Sequence, residues 1–285
     1  MELVVQLIVY GILMGMIFAL IALGLSLIFG VMNIVNFAHG EFLMMGMYIA
    51  YLLSTFLPLD PLASLPVAAA AGYGLGLLSY HVLIHRILRG PMVAQLFGTF
   101  GLMLFLRYLA MYIFTPDVRS LKQGILVGKT LSLGWISIDA SKVVSAGLCL
   151  IAFAAIYWMI YRTKLGRGLR ATAIDAEAAR YMGIDTKGMN ALAWGIGGAT
   201  VALAGALLAH FYYVTPTVGM LFSLIAFATV ALGGFGSILG AFVAGIIIGL
   251  IMVISGQLVS ELKFSFIYVV YFLVVVFRPR GLFGW

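Results

Sequence analysis

Long apolar runs separated by short polar connections make up most of the 285-residue chain. A helix needs about 20 apolar residues to cross a bilayer, because the hydrocarbon layer is about 30 Å thick and each residue adds 1.5 Å. Lipid cannot hydrogen-bond to free backbone groups, so these runs are predicted to be helices. The runs are 3–30, 42–57, 66–85, 92–115, 143–161, 189–211, 218–233, 237–256 and 264–277.

Several of these runs are too short to cross a bilayer untilted. Breaks within a span are tolerated only where the backbone is buried in protein or lines a cavity. The predicted fold is therefore all-α: a polytopic membrane protein with eight or nine transmembrane helices, some broken or re-entrant. Residues 1–285 are expected to form a single transmembrane domain.

Composition agrees with a membrane protein, since 64% of the residues are hydrophobic and only 9% are charged. The net charge of +7 would indicate a nucleic-acid partner in a soluble protein. Here the basic residues lie mainly in short loops, where the positive-inside bias explains them. We expect membrane lipid around the chain and no nucleic acid.

The distribution of Lys and Arg predicts the orientation. If 162–188 is cytoplasmic, alternation places ten basic residues inside and five outside, with Arg107 left within a span. The N-terminus is then outside, the C-terminus is cytoplasmic and 116–142 is an external loop. The inside set is completed by Arg86, Arg89, Arg278 and Arg280, and the outside set is Arg119, Lys122, Lys129, Lys142 and Lys263.

The polar segment 162–188 (RTKLGRGLRATAIDAEAARYMGIDTKG) holds six of the sixteen Lys and Arg residues. Ile174, Ala178 and Tyr181/Met182 fall on one face of a helix. Gly183 suits its left-handed C-terminal cap, and Gly166 and Gly168 would let the chain turn before it. Two interpretations stay open: the helix lies in the lipid headgroups, or it docks a soluble partner.

A second polar segment interrupts the first two apolar runs with Asn33, Asn36, His39 and Glu41. Polar groups at membrane depth are expensive and should face a cavity, a partner helix or the interface. The segment is either a short turn between spans or a broken helix beside a transport pathway. The later stretch GGFGSILG, with Gly233, Gly234 and Gly236, is predicted to be a similar break.

Three further features are ambiguous or do not match a known motif completely. Arg107 either snorkels outward, or pairs within the bundle or lines a vestibule. His81 and His85 have the spacing of a metal-binding helix but lack the catalytic Glu. Small-xxx-small pairs such as Gly245/Gly249 predict close helix packing, within the chain or at a subunit interface.

The stretch 24–41, GLSLIFGVMNIVNFAHGE, closely resembles the N-terminal signature of branched-chain amino-acid ABC permeases of the LivH type. The resemblance covers the whole chain and includes VALGGFGS at 230–237. The spacing Glu177-Ala178-Ala179-x-x-x-Gly183 resembles the coupling loop of ABC importer permeases. The longer pattern ends in Ile-x-Leu-Pro, which is absent here, because 191–194 reads ALAW.

This resemblance implies a bacterial inner-membrane importer for leucine, isoleucine, valine or related neutral amino acids. Two ATPase subunits would drive it, a second homologous permease would complete a heterodimer, and a periplasmic amino-acid-binding protein would deliver the substrate. The loop 162–188 would couple to the ATPase, and Asn33, Asn36, His39, Glu41, Gly233, Gly234 and Gly236 would border the pathway. The coupling residues would be Ala173, Asp175, Glu177, Ala178, Ala179, Arg180 and Gly183.

The chain itself is expected to bind no cofactor. The segment 124–130 (GILVGKT) has three residues between its glycines, whereas a P-loop has four, so ATP would be hydrolysed by partner subunits. No acid–base or metal constellation indicates an enzyme. The alternatives are a same-family importer of urea, amides or other small polar solutes, and a secondary transporter or channel that works alone.

Overall fold

Each of the nine apolar runs forms a helix in the computed structural model, which describes residues 2–57, 60–88, 90–121, 124–133 and 136–284. Seven helical stretches in this part are long and apolar enough to cross a membrane. The helix α2 and the shorter apolar helix α10 accompany them, in agreement with the predicted all-α polytopic fold. The helices are α1 Glu2–Met32, α2 His39–Phe56, α3 Leu65–Ser79, α4 His85–Ile87, α5 Met92–Phe114, α6 Ala140–Arg162, α7 Lys164–Ile174, α8 Ala176–Tyr181, α9 Thr186–Leu208, α10 Val218–Gly233, α11 Ile238–Leu258 and α12 Lys263–Phe277.

The span that contains α3 is a composite helix. A 3₁₀ turn, Pro61–Ser64, leads into α3, and a π-helical turn, Tyr80–Ile84, joins α3 to α4. Together they form a continuous stretch, Pro61–Ile87. Two of the basic residues used to predict orientation, Arg89 and Lys122, lie outside the described residues.

A small antiparallel hairpin lies in the loop that was predicted to be external. Its strands are β1 Thr130–Leu133 and β2 Ile136–Asp139, with Thr130 opposite Asp139. The hairpin contacts the start of α1, where the Gln6 side-chain amide donates to the carbonyl of Ser137. We call this side of the bundle the hairpin end, and the opposite side, where α6 ends and α7 and α8 lie, the α8 end.

Helix α1 is the central element, because α6, α9, α10 and α11 all pack against it. Glycines allow its closest contact, with α11. A Cβ built on Gly245 would lie 2.6 Å from the backbone nitrogen of Ala19, and one on Gly15 would lie 2.6 Å from the Cα of Ile246. The Gly245/Gly249 pair therefore packs helices within the chain, and its interpretation as a subunit interface is wrong.

The connection between α1 and α2 runs back into the bundle. Ile28 and Ile34 pack beside Trp194 near the start of α9, so α1 ends at the α8 end. The ring of His39, the first residue of α2, bonds to the carbonyl of Ile21, about 16 Å back along α1. Residues 33–38 can span that depth because extended chain reaches about 3.3 Å per residue. Helix α2 thus begins in the interior of the bundle, as a broken-helix geometry requires.

The second interior helix start lies before α10 and was not predicted. Residues 209–217 are not helical, yet Val214, Thr215 and Pro216 among them are buried. At the start of α10, Gly219 lies against Gly40, so the N-termini of α2 and α10 meet inside the bundle. The shortness of the apolar run 218–233 was the only sign of this arrangement in the sequence.

Substituting Gly245→Leu should destabilise the bundle, because the added side chain would overlap the backbone of α1. Overpacking of this kind costs about 1–3 kcal/mol or more. We expect a lower melting temperature and a lower yield of monodisperse protein in detergent. Gly147→Leu is the matched control, since a Cβ at Gly147 meets nothing within 4 Å. Equal melting temperatures for the two variants would contradict the packing of α1 against α11.

Candidate functional site

Asn33 and Asn36 form the break between α1 and α2. Asn33 follows the last residue of α1 with a positive φ of 54°, a conformation that Asn tolerates better than most residues, and its N–H donates to Phe29. Asn36 is fully buried, and its side-chain oxygen accepts from the backbone N–H of Ala38 at 3.0 Å. This local turn lets the chain start α2 without a separate capping side chain.

Neighbouring helices satisfy the backbone of the break. The hydroxyl of Thr99 in α5 donates to the carbonyl of Val35 at 3.0 Å. The N–H of Gly40 donates to the hydroxyl of Ser223 in α10 at 2.9 Å. Sequence reasoning missed both hydroxyls, because a Ser or Thr in an apolar helix more often bonds to its own helix. The break is therefore buried in protein rather than exposed to lipid.

Glu41 and Arg107 form a buried ion pair beside this break. The Arg107 guanidinium donates from Nη2 to Glu41 Oε1 at 2.6 Å and from Nε to the same oxygen at 3.1 Å. The Glu41 side chain is completely buried and that of Arg107 is 12% exposed. Of the alternatives for Arg107, pairing within the bundle is the one observed, and a charge left unpaired at this depth would be strongly unfavourable.

Three polar atoms at the break have no hydrogen-bond partner in the described part of the chain. They are Asn36 Nδ2, His39 Nδ1 and Glu41 Oε2, and all three residues are fully buried. His39 Nε2 approaches the carbonyl of Ile21 at 2.9 Å and therefore acts as the donor, which leaves Nδ1 as an acceptor. Unpaired buried polar atoms are rare and mark a place where a partner or a rearrangement is needed.

Gly233, Gly234 and Gly236 lie apart from this cluster, and the prediction of a second break there is wrong. They form the turn between α10 and α11, where Gly234 and Gly236 have φ of 99° and 81°. The C-terminal tail covers the turn, since Leu282 and Phe283 donate backbone N–H groups to Leu232 and Gly233. The turn lies where α10 ends, so it connects two spans and does not interrupt one.

The polar segment 162–188 forms two short helices instead of the single predicted one. Thr163 caps α7 by accepting from the N–H of Gly166 at 3.1 Å. Asp175 then separates α7 from α8, and its carboxylate accepts from the N–H groups of Glu177 and Ala178, both at 2.9 Å. Helix α8 is thus held by a side-chain cap of the kind worth about 0.5–2 kcal/mol.

The glycines of this segment take different roles. Gly183 ends α8 with φ of 82°, as its predicted capping role requires. Gly166 and Gly168 lie inside α7, so the prediction that they form a turn is wrong. At Gly168 an added Cβ would lie 2.9 Å from the sulfur of Met189, so this glycine lets α7 approach α9.

Part of the surface of α8 and its flanks is apolar and is left exposed by the described residues. Ile174, Tyr181 and Met182 are 87%, 77% and 83% exposed, and Ala178 is also exposed. Ala179 is buried, and Ala173 is partly buried at the end of α7. Glu177 and Arg180 are also exposed, and Glu177 borders the apolar side chains, because the hydroxyl of Tyr181 one turn later donates to it. We call Ile174, Ala178, Tyr181 and Met182 the α8 apolar face.

Comparison with known proteins shows the family of the chain. A family model described as branched-chain amino acid transport system / permease component matches residues 7–277. The chain belongs to this family. It is a membrane protein of the transport permease class, and the resemblance to LivH-type permeases is confirmed.

Three curated relatives illustrate the similarity. BraD of Pseudomonas aeruginosa, a high-affinity branched-chain amino acid transport system permease protein, is 30% identical over 98% of this chain and 95% of its own length. LivH of Escherichia coli K12, which has the same description, is 31% identical over 96% and 93%. A probable LivH of Methanocaldococcus jannaschii is 32% identical over 81% and 74%. No solved structure matches the chain.

Removing one member of the Glu41–Arg107 pair should destabilise the chain strongly. Arg107→Met leaves a buried carboxylate unpaired and Glu41→Gln leaves a guanidinium unpaired, each at a cost of about 3–5 kcal/mol. The double variant carries neither charge, so its melting temperature in detergent should lie closer to that of the unmodified chain than either single variant does.

Lys142→Met is the control for this double-variant series. It breaks the Lys142–Asp139 pair, 2.9 Å long and partly exposed, which should contribute no more than about 1 kcal/mol. If the double variant melts no higher than the single variants, the two side chains do not act as a pair.

Proposed function

We propose that the chain is the transmembrane permease subunit of an ABC importer for leucine, isoleucine, valine or related neutral amino acids. Two separate ATPase subunits drive it through alternating access. The observation that carries this proposal is the α8 apolar face: large side chains exposed at the end of α7, on the capped helix α8 and just after it, at one end of the bundle. Because exposed apolar clusters of this kind mark interaction sites, a partner subunit is expected to cover it.

The packing around α7 offers a route from that partner to the interior. Helix α7 packs against α1, α8 and α9, and α9 packs in turn against α2. Where α9 packs against α2, Gly205 lets the backbone of α9 approach Leu43 of α2. A displacement of α8 by the ATPase would therefore move helices that border the break, where α2 and α10 begin.

The exposed surface of α5, the helix that carries Arg107, favours a second permease subunit as its partner. Helix α5 packs sparingly against the rest of the described chain, and Phe97, Tyr108 and Tyr112 on it are exposed. The partly exposed Arg107 lies on this helix near the break, where contact with lipid would be unfavourable. A sister permease that covers α5 would remove Arg107 from lipid and place the pathway between the two subunits.

The proposed function also gives each end of the bundle a side of the membrane. The α8 end is cytoplasmic, with the C-terminus, and the hairpin end with the N-terminus is outside, where an amino-acid-binding protein delivers the substrate. A bacterial inner membrane is the corresponding location. ATP is bound by the ATPase subunits, and this chain needs no cofactor of its own. The scarcity of charge in the spans suits a zwitterion with an apolar side chain.

Replacing Tyr181→Ala and Met182→Ala together should uncouple the permease from its ATPase without unfolding it. Buried interface anchors are worth about 2 kcal/mol each, so the affinity for the ATPase should fall roughly 30-fold for one anchor and up to about 1,000-fold for both, and recovery of ATPase with the tagged chain should fall accordingly. ATP-driven uptake of labelled leucine into proteoliposomes should fall with it. Ile151→Ala with Trp158→Ala is the matched control, because both residues are exposed on α6, away from α8.

The outcomes separate the alternatives. Unchanged ATPase recovery and uptake in the double variant would mean that the α8 apolar face lies in lipid headgroups. Uptake that needs no ATPase would make the chain a self-sufficient carrier or channel. ATP-driven uptake of urea or an amide in place of leucine would support the proposal of an ABC importer and contradict the proposed amino-acid substrate.

A further inference from the structure

A cavity of about 680 Å³ lies beside α8, on the side that faces the bundle. Its walls come from three places: the π-helical turn and α4, the helix α8, and the start of α9. The volume falls within the roughly 300–1,000 Å³ typical of small-molecule sites. Two expected coupling residues, Glu177 and Arg180, line one wall of the cavity, whereas Tyr80, Lys187 and Asn190 line it without any role assigned so far.

Charges of both signs line the cavity. Glu177 and Asp185 contribute carboxylates, and Arg180 and Lys187 contribute cations. None of the four forms an ion pair within the described residues. A site for phosphate or another simple anion would have an excess of positive charge, whereas this balance suits a ligand that carries an ammonium and a carboxylate together.

Two buried polar groups of the cavity wall are also unsatisfied. Tyr80 is 1% exposed and Asn190 is 8% exposed, and both line the cavity. The Tyr80 hydroxyl lies close to the Asn190 side chain, and neither this hydroxyl nor the Asn190 side-chain oxygen completes a hydrogen bond of ordinary geometry in the described part of the chain. Because an unpaired buried polar group is costly, a ligand that hydrogen-bonds to them would be favoured.

The π-helical turn gives this wall its shape. Tyr80 is the first residue of the turn and His85 follows its last residue, and both line the cavity. A π turn widens a helix locally and frequently occurs at functional sites. Without that widening, a regular helix from α3 through α4 would place Tyr80 and His85 differently relative to α9.

The cavity is on a different side of α8 from the α8 apolar face. Successive helical residues are rotated by about 100°, so the centre of Ala176, Glu177 and Arg180 points about 120° away from the centre of Ala178 and Tyr181. Glu177 lies where the two surfaces meet, because Tyr181 donates to it, but Asp185, Lys187 and Asn190 lie outside α8. A partner that covers the α8 apolar face therefore leaves that part of the cavity available to a small solute from the same compartment.

We propose that this cavity binds a zwitterionic α-amino acid and that the bound ligand restrains α8. The ammonium would meet Glu177 or Asp185 together with Asn190, and the carboxylate would meet Arg180 or Lys187. Since the cavity lies between α8 and the spans, a ligand there ties the helix to α4 and α9 and opposes its movement. This inference rests on the proposed function, because it makes the accumulated transported solute an inhibitor of its own import.

The test measures ATP hydrolysis by the purified transporter assembly in detergent, with and without L-leucine. Leucine should slow hydrolysis by the unmodified assembly. With Lys187→Gln or Asn190→Leu, hydrolysis without leucine should be unchanged, and inhibition should need roughly tenfold more leucine. Lys164→Gln is the matched control, since this exposed lysine on α7 does not line the cavity. Melting temperatures establish that each variant is folded.

Three results would overturn the inference. Leucine could fail to inhibit the unmodified assembly, or it could inhibit the cavity variants and Lys164→Gln equally. A Thr186→Cys variant that cross-links efficiently to the ATPase would show that the partner, not a solute, fills the cavity.

A second measurement separates this inference from the proposed function. If no ATPase accompanies the chain, the importer proposal fails, and binding of labelled leucine to the chain alone still tests the cavity. Binding that is lost in Asn190→Leu and kept in Lys164→Gln would support the site. Binding unaffected by Asn190→Leu would contradict it.

Discussion

Hydrocarbon offers no hydrogen bonds, so irregular backbone at membrane depth must be enclosed by protein, and the segment between α1 and α2 shows how this chain achieves it. Residues 33–38 leave the helical pattern within the bundle, so their polar groups must find partners in protein. Thr99 supplies such a partner to Val35, and Ser223 and the carbonyl of Ile21 do the same for Gly40 and His39 at the start of α2. The Glu41–Arg107 pair then neutralises the two charges beside the segment. Small residues on α1, α9 and α11 bring the surrounding helices close enough to enclose it.

Burying a break in this way makes it a place where motion can be transmitted. The N-termini of α2 and α10 meet there, and the helices that enclose it also contact α7. Packed helices therefore connect the α8 apolar face to the break. In the proposed function, an ATPase would displace α8, and closely packed helices would transmit the displacement to the break because protein interiors are packed too densely to absorb it.

The helices could be predicted from hydrophobicity because length and apolarity alone define a span. The broken helix before α2 could also be predicted, since Asn36, His39 and Glu41 are polar where polarity is costly. The start of α10 could not, because residues 209–217 are mostly apolar and their irregularity depends on contacts distant in sequence. Gly233 and Gly234 were assigned to a pathway because glycine permits both turns and breaks, and only packing distinguishes them. The cavity beside α8 depends on a π turn that has no recognisable signature in 80–84.

Purification of the tagged chain from its native membrane, followed by mass spectrometry of the proteins that accompany it, tests the central claim most directly. The account predicts two ATPase subunits and a second, homologous permease in stoichiometric amounts. A chain that purifies alone and still moves amino acids across liposome membranes would contradict it, because the α8 apolar face would then have no motor to bind.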